Sequence, residues 1–353
     1  MRLPVPAVAA LGCLLLCCGP SPTPVAQDAT FLVPLAQART FLPGREVLPR
    51  ALFDRGHPLT VTDEPTDLYE ALGTVGVRLD PCFHEGSDTT CHPQLRLVLQ
   101  PVFDEGSGQT SLDAAVHLFF RGSSEEVLAA VQSIGVARVE RGVAADFLPT
   151  VPHPGFGDGA FRTRLKSALR PFLAMERLVR VSQMGVHASH EAWMFSGMDL
   201  TSGSPMDLPV PTLAPEHEQH VTSTGALTSL EITLNPRPVA EPAIIPVIAQ
   251  GGIAGSSPGA LADAAEAIRR IEDPAAHNPG TIDCASCHVA PASRFQLQRA
   301  GTAVTSGAEL PRVYEDTRNL RAFGYYFTEP AVSPRLLQEA EAVLDILREE
   351  AGR

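Results

Sequence analysis

The pentapeptide Cys284-Ala-Ser-Cys287-His288 constrains this chain more than any other feature of its sequence. Two cysteines separated by two residues place both sulfurs on one side of a helical turn, with the histidine directly after them. With 7 cysteines and 11 histidines in 353 residues, chance produces this arrangement in about one chain in two hundred. The motif therefore predicts a helical turn that carries a chemical site near the carboxyl end.

Three chemistries use a C-x-x-C pair, and each makes a further demand. A zinc site needs two more ligands, but no cysteine follows Cys287 and no histidine follows His288. A redox-active dithiol follows a strand and begins a helix inside a βαβ unit, whereas the flanking sequence indicates a helix, turns and little strand. Covalent haem attachment uses the histidine after the second cysteine. An inert local disulfide between Cys284 and Cys287 stays open as well.

The first residues predict export. Arg2 precedes an apolar stretch that ends at Cys18 and is too short to span a bilayer, which is typical of a secretory signal over residues 1–18. The end of this stretch resembles a bacterial lipoprotein signal, in which Cys18 becomes the lipid-bearing first residue. Cys13 is the second candidate for the anchor, and a cleaved signal without lipid is the alternative. Residues 19–30, rich in Pro, Ser and Gln, are expected to form a tether, so the protein would face the periplasm or the cell surface.

Export places the remaining cysteines where disulfide bonds persist. Cys82 and Cys91 flank the polar loop FHEGSDTT, which lies between two strand-like segments. We therefore expect a local disulfide between them. Of the cysteines outside the signal, only Cys284 and Cys287 then need another explanation.

The central part of the chain mixes strand and helix patterns. QLRLVLQPVF, residues 94–103, alternates apolar and polar side chains, and AAVHLFF, RLVRVSQMGV, AWMFSGM and SLEITLNP are further strand patterns. Residues 122–136 predict a helix with a capping box of Ser123 and Glu126, and residues 161–175 predict a helix broken at Pro171. We therefore expect an α+β fold, with a mostly antiparallel sheet in an N-terminal domain over residues 31–235.

The last third of the chain changes character. Residues 236–257 are dense in Pro and Gly and lack a helical period, which indicates a linker packed on a domain surface. Ser257 and Pro258 suit the cap and first position of a helix, and the chain ends in an amphipathic helix over about 332–350. The motif thus lies in a small, mainly helical unit, residues 258–353. Its segment NLRAFGYYF, residues 319–327, supplies apolar side chains for the walls of a pocket.

On the five residues of the motif, the sequence resembles the c-type cytochromes. The resemblance implies thioether bonds from Cys284 and Cys287 to the two vinyl groups of one porphyrin, with His288 as the proximal iron ligand. It also implies that the C-terminal unit is cytochrome c-like. Haem attachment of this kind takes place outside the bacterial cytoplasm, which agrees with the signal. Residues 31–257 carry no such resemblance.

The resemblance does not fix the second axial ligand of the iron. Small single-haem cytochromes commonly use a methionine C-terminal to the motif, but no methionine follows Met206. His277 is the nearest candidate for the distal ligand, because a Pro-Gly turn between it and Cys284 can fold it over the ring.

These observations predict an exported, lipid-anchored monohaem c-type cytochrome that carries single electrons between partner proteins of the cell envelope. No catalytic residue follows from this function, so an electron carrier is favoured over an enzyme. A five-coordinate haem enzyme or a sensor of peroxide or a small gas is the second hypothesis, because the downstream methionine is missing. A haem-free binding lipoprotein with a Cys284–Cys287 disulfide is the third. A net charge of −13 argues against nucleic acid as a partner.

Overall fold

The computed structural model describes residues 22–61, 67–106, 108–144, 149–187, 191–201, 203–224, 230–304 and 312–351. The signal segment and both candidate anchors, Cys13 and Cys18, lie outside the described residues. None of the helices in these ranges combines the length and hydrophobicity that a bilayer crossing requires.

A large antiparallel sheet dominates the fold and confirms the predicted α+β class. Within the described residues its strands are β1 (Thr30–Leu32), β2 (Thr60–Val61), β3 (Leu72–Glu85), β4 (Asp88–Glu105), β5 (Gly108–Ser111), β6 (Ala115–Arg121), β7 (Leu178–His187), β8 (Ala192–Thr201), β9 (Ser204–Asp207), β10 (Gln219–Ser223) and β11 (Ile232–Asn235). The main path runs β1-β3-β4-β6-β7-β8-β10-β11, and β2 joins β7 in parallel. A separate hairpin pairs β12 (Phe323–Tyr326) with β13 (Glu329–Val332).

Helices cover the sheet and fill the C-terminal part. The helices within the described residues are α1 (Ala26–Ala29), α2 (Leu35–Phe41), α3 (Gly44–Val47), α4 (Arg50–Arg55), α5 (Leu68–Ala71), α6 (Ser124–Glu140), α7 (Gly159–Leu169), α8 (Ile245–Ile248), α9 (Gly252–Gly255), α10 (Pro258–Glu272), α11 (Cys284–Arg299) and α12 (Pro334–Ala351). Single 3₁₀ turns occupy Pro154–Gly157, Arg170–Phe172, Met175–Arg177, Pro242–Ile244 and Arg312–Glu315.

Local sequence signals place several helix ends as predicted. The Ser123 hydroxyl accepts from the Glu126 backbone N–H at 3.2 Å, and the Glu126 carboxylate accepts from the Ser123 N–H at 2.9 Å, which completes the capping box of α6. Helix α7 ends just before Pro171 and continues as a 3₁₀ turn. The Ser257 hydroxyl caps α10, whose first residue is Pro258.

Each face of the sheet carries its own core, because side chains alternate along the strands. One face packs against α6 and α7 through Leu95, Leu97 and Leu99 of β4. The other face packs against the β12–β13 hairpin and α12, and Val98 and Ala115 belong to that second core.

The C-terminal helices share their core with the sheet. Ile268 of α10 and Val289 of α11 belong to the same buried cluster as the leucines of β4. The predicted linker, residues 236–257, is packed: it forms α8 and α9 and buries Val247 and Ile248. No gap in the described core therefore marks the boundary predicted at residue 258. The C-terminal unit also contains the β12–β13 hairpin, which the sequence pattern did not reveal.

The segment predicted as a tether is partly built into the fold. From residue 26 the chain forms α1 and β1, and β1 pairs with β3. The Asp28 carboxylate is fully buried and accepts from Arg138 of α6, with 2.8 Å between Nε and Oδ1. A buried ion pair fixes its two elements, because removing either partner leaves a buried charge uncompensated. Residues 26–30, which the sequence analysis assigned to a tether, are thus part of the folded protein.

Candidate functional site

The Cys-x-x-Cys-His motif forms the first turns of α11, as the sequence predicts. Asp283 is the N-cap, and its Oδ1 accepts from the Ser286 backbone N–H at 2.9 Å. Cys284 is the first helical residue, so Cys287, three residues later, lies on the same face of the helix. Cap and cysteines together fix the direction in which the two sulfurs point.

Gln219 of β10 attaches this end of α11 to the sheet. Its side-chain amide donates to Asp283 Oδ1 at 2.7 Å, and its Oε1 accepts from the Ala285 backbone N–H at 2.8 Å. Gln219 and Asp283 are both fully buried, and hydrogen bonds to a buried carboxylate are among the stronger ones in proteins. The amino end of α11 is therefore held by a strand distant in sequence.

His288 has one ring nitrogen engaged by the backbone. Its Nδ1 lies 2.6 Å from the Leu320 carbonyl oxygen, and its ring packs 4.7 Å from that of Phe195 on β8. A carbonyl oxygen only accepts, so Nδ1 carries the hydrogen and Nε2 keeps its lone pair. Burial and the nearby Arg321 guanidinium lower the pKa of His288 to about 4. The imidazole is thus neutral at physiological pH, with Nε2 ready to bind a metal.

The two cysteines are half-buried thiols that are not bonded to each other. Burial is the main reason why the pKa of Cys284 is raised to about 12 and that of Cys287 to about 11. Thiols that exchange with disulfides have lowered pKa values. The chain before α11 forms turns, and the sheet beside it is antiparallel. Both observations disfavour a redox-active dithiol.

Cys284, Cys287 and His288 line one cleft between α11, α12 and the second face of the sheet. The cleft has a volume of about 150 Å³. Its walls combine apolar side chains, among them Phe119, Ile282, Phe323 and Leu336, with the charged side chains of Arg96, Asp283, Arg335 and Glu339. Of the segment NLRAFGYYF, Ala322 and Phe323 line the cleft and Leu320 supplies the carbonyl that His288 contacts. The predicted apolar wall is therefore only partly built from that segment.

Charged side chains of both signs surround the cleft: Arg96 and Arg335 line it together with Asp283 and Glu339. Glu339 accepts from Arg335 at 2.8 Å and from Arg78, and Asp80 also accepts from Arg78. Arg96 has no carboxylate partner in the described part of the chain. Its guanidinium lies over the Phe119 ring, 4.7 Å from the centroid.

The environment of Arg96 is costly for a cation. Its Nε–H is buried without a hydrogen-bond partner, and burial together with the neighbouring Arg78 lowers the pKa of Arg96 to about 10. The carboxylates of Glu339 and Asp80 stabilise its charge, but neither forms a salt bridge with it. Arg96 is thus a cation on the cleft wall that can pair with an anionic group, such as a carboxylate.

The predicted distal ligand, His277, lies outside the cleft. Its Nε2 is 2.9 Å from Glu241 Oε1, and its Nδ1 is 3.4 Å from the Thr281 hydroxyl. The structure therefore does not bring His277 to His288. A different imidazole, that of His117 on β6, lines the cleft instead. Its only signal in the sequence was a histidine inside the apolar strand pattern AAVHLFF.

Cys82 and Cys91 form a disulfide, in agreement with the predicted pairing. They and His84 place three possible ligand atoms within 4.8 Å of one another, but the disulfide occupies both sulfurs. Around Cys284 and Cys287, the described residues gather no such group of three. The arrangement at α11 is therefore unlike a zinc site, in which all ligand atoms converge on one ion.

Comparison with known proteins adds no assignment. No family model, no curated protein and no solved structure matches the chain.

Proposed function

We propose that this chain is a monohaem c-type cytochrome of the cell envelope that carries single electrons between partner proteins. The observation that carries the proposal is the state of His288. Its Nδ1 donates to the Leu320 carbonyl, and its Nε2 is free beside two unbonded cysteines on one helical face. Metal-binding histidines characteristically donate their other ring nitrogen to a carbonyl or carboxylate, which sets the ring and its tautomer.

The residues of the cleft fit a covalently held haem. Cys284 and Cys287 would form the two thioether bonds, and His288 Nε2 would bind the iron. Arg96 would pair with a propionate, which supplies the carboxylate that this guanidinium lacks. In this arrangement the sulfurs bond to the porphyrin and only the histidine nitrogen binds the iron. The sulfur and nitrogen atoms therefore do not need to converge on one metal ion, and they do not.

Haem, when bound, supplies an iron that takes up and releases one electron. The protein's own contribution is to hold and surround it. Phe195 packs against the His288 ring and helps to fix its orientation. The Gln219 clamp on Asp283 and Ala285 holds the amino end of α11 in place. Arg96 adds positive charge, which favours the reduced state of a nearby redox group.

The size of the cleft favours electron transfer over buried catalysis. About 150 Å³ is less than the roughly 300–1,000 Å³ of pockets that enclose small molecules. The cleft would therefore leave part of a porphyrin exposed. Exposure of the cofactor shortens the path to a partner protein. A five-coordinate haem enzyme or gas sensor is the alternative that the spectroscopic test below separates.

Export and lipid attachment belong to the same proposal. They rest on the amino-terminal sequence alone, with Cys18 as the anchor and Cys13 as the alternative. Covalent haem attachment and the Cys82–Cys91 disulfide both suit an exported protein.

The test is to produce the full chain in a bacterium that attaches haem to exported proteins and to extract it with acidified acetone. We expect a pyridine haemochrome spectrum with one haem per chain in the extracted protein. The Cys284→Ala, Cys287→Ala double variant should release all its haem to the solvent. Cys82→Ala, Cys91→Ala is the matched control, which removes two cysteines and should keep the haem. A colourless wild-type protein would contradict the proposal.

A further inference from the structure

This inference deepens the proposed function and rests on it: it concerns the side of the iron that faces away from His288. The wall of the cleft opposite the motif is the second face of the sheet. His117 lies there on β6, paired in register with Val98 of β4 and Ser182 of β7. Because side chains alternate along a strand, His117 shares this face with Phe119, which also lines the cleft.

The interactions of the described residues do not explain why position 117 is a histidine. Within the described part of the chain, no hydrogen bond or ion pair engages its imidazole. A neutral imidazole carries a lone pair on one ring nitrogen, and none of these residues uses that of His117. Neither ring nitrogen is fully buried, so the imidazole is accessible from the cleft that it lines.

The register of the sheet places this ring at a suitable distance from His288. Phe195, which packs on His288, lies opposite Met184, and Met184 lies opposite Ala115, two residues before His117. The Cα atoms of His117 and Phe195 are therefore separated by about 10 Å across two strand spacings and about 7 Å along the strand. His117 therefore lies on the same face of the sheet as the ring against which His288 packs, and both imidazoles line the one cleft.

We propose that His117 is the second axial ligand of the iron held by His288. His277 is engaged by Glu241 and does not line the cleft. Met184 is buried in the core and does not line the cleft either. His117, in contrast, lines the cleft together with the motif, and no group in the described residues uses its lone pair.

The experiment compares the wild-type protein with His117→Ala, each carrying covalent haem in the full chain. Wild type should show a six-coordinate, low-spin spectrum, and its near-infrared magnetic circular dichroism should show two imidazole ligands. His117→Ala should lose the low-spin signal and gain a high-spin one, and added imidazole should restore the low-spin form. His277→Ala is the matched control and should keep the wild-type spectrum.

The outcomes separate this inference from the proposed function. Absence of covalent haem in wild type overturns the proposed function and the inference with it. Covalent haem that stays low-spin in His117→Ala, or that is high-spin in wild type, overturns the inference alone. If His117→Ala does not fold, the wild-type magnetic spectrum still decides: a histidine–methionine signature contradicts the assignment. His117→Met, which offers another ligand at the same place, should replace the two-imidazole signature by a histidine–methionine one.

Discussion

Replacing Gln219 by leucine should remove the hydrogen bonds that hold the amino end of α11 to the sheet. The Gln219 amide donates to Asp283 Oδ1 at 2.7 Å and accepts from the Ala285 N–H at 2.8 Å, and all of these groups are buried. Leucine has a similar volume, so the change removes hydrogen bonds and leaves no large cavity. The Asp283 carboxylate and the Ala285 N–H would then be buried without this partner.

Gln219 also donates to the Pro236 carbonyl at 3.2 Å, but the expected loss of stability comes mainly from the two shorter bonds. A hydrogen bond to a charged group contributes about 1.5–3 kcal/mol, and a buried N–H left without a partner costs about 1–3 kcal/mol. We therefore expect Gln219→Leu to lower the free energy of unfolding by about 3–5 kcal/mol, a large part of the 5–15 kcal/mol typical of a folded domain.

The assay is urea unfolding followed by circular dichroism, in a Cys284→Ala, Cys287→Ala background so that haem binding does not contribute. The urea concentration at the midpoint of unfolding should fall, while the slope of the free energy of unfolding against urea concentration stays the same. Gln132→Ala, at an exposed position of α6, is the matched control and should change stability by less than about 0.5 kcal/mol. A Gln219→Leu variant as stable as this control would refute the clamp.

Three further predictions concern charges. Arg138→Met should destabilise the protein by about 3–5 kcal/mol, whereas adding Asp28→Leu should recover part of that loss in a double-mutant cycle of urea unfolding; simple additivity of the two changes would contradict the buried pair. Arg96→Gln should lower the haem reduction potential by on the order of 50 mV in a spectroelectrochemical titration, and an equal shift in the exposed control Arg121→Gln would contradict a local effect. Burial alone would raise the pKa of Glu339, but nearby arginines lower it to about 2 from 4.5, so its stabilisation is complete above about pH 4.5 and is lost as the pH falls towards 2. In acid unfolding, Glu339→Gln should reduce the loss of stability between about pH 4.5 and 2. A loss of stability equal to that of the wild type would contradict the lowered pKa of Glu339.

The sequence was sufficient for features that local patterns determine. Strand β4 and its neighbours follow from alternation of apolar side chains, and α6 follows from the capping box of Ser123 and Glu126. The helical turn under Cys284 and Cys287 follows in the same way from the spacing of the motif. Each of these depends on residues a few positions apart, which is why the sequence alone reveals them.

The sequence was insufficient where distant segments meet. The packing of residues 26–30 depends on Asp28 reaching Arg138, a contact across the fold that no local pattern marks. The same holds for the Gln219 clamp. His277 is near the motif in sequence but is bound by Glu241, whereas His117 is far away in sequence and lines the cleft. Proximity along the chain was therefore a poor guide to the second wall of the site.

Mass spectrometry of the denatured protein isolated from its native envelope tests the central claim most directly. We expect the intact chain to carry the mass of one haem, and the peptide that contains Cys284 and Cys287 to carry the same addition after proteolysis. An unmodified mass for that peptide, or two cysteines joined only to each other, would contradict the account.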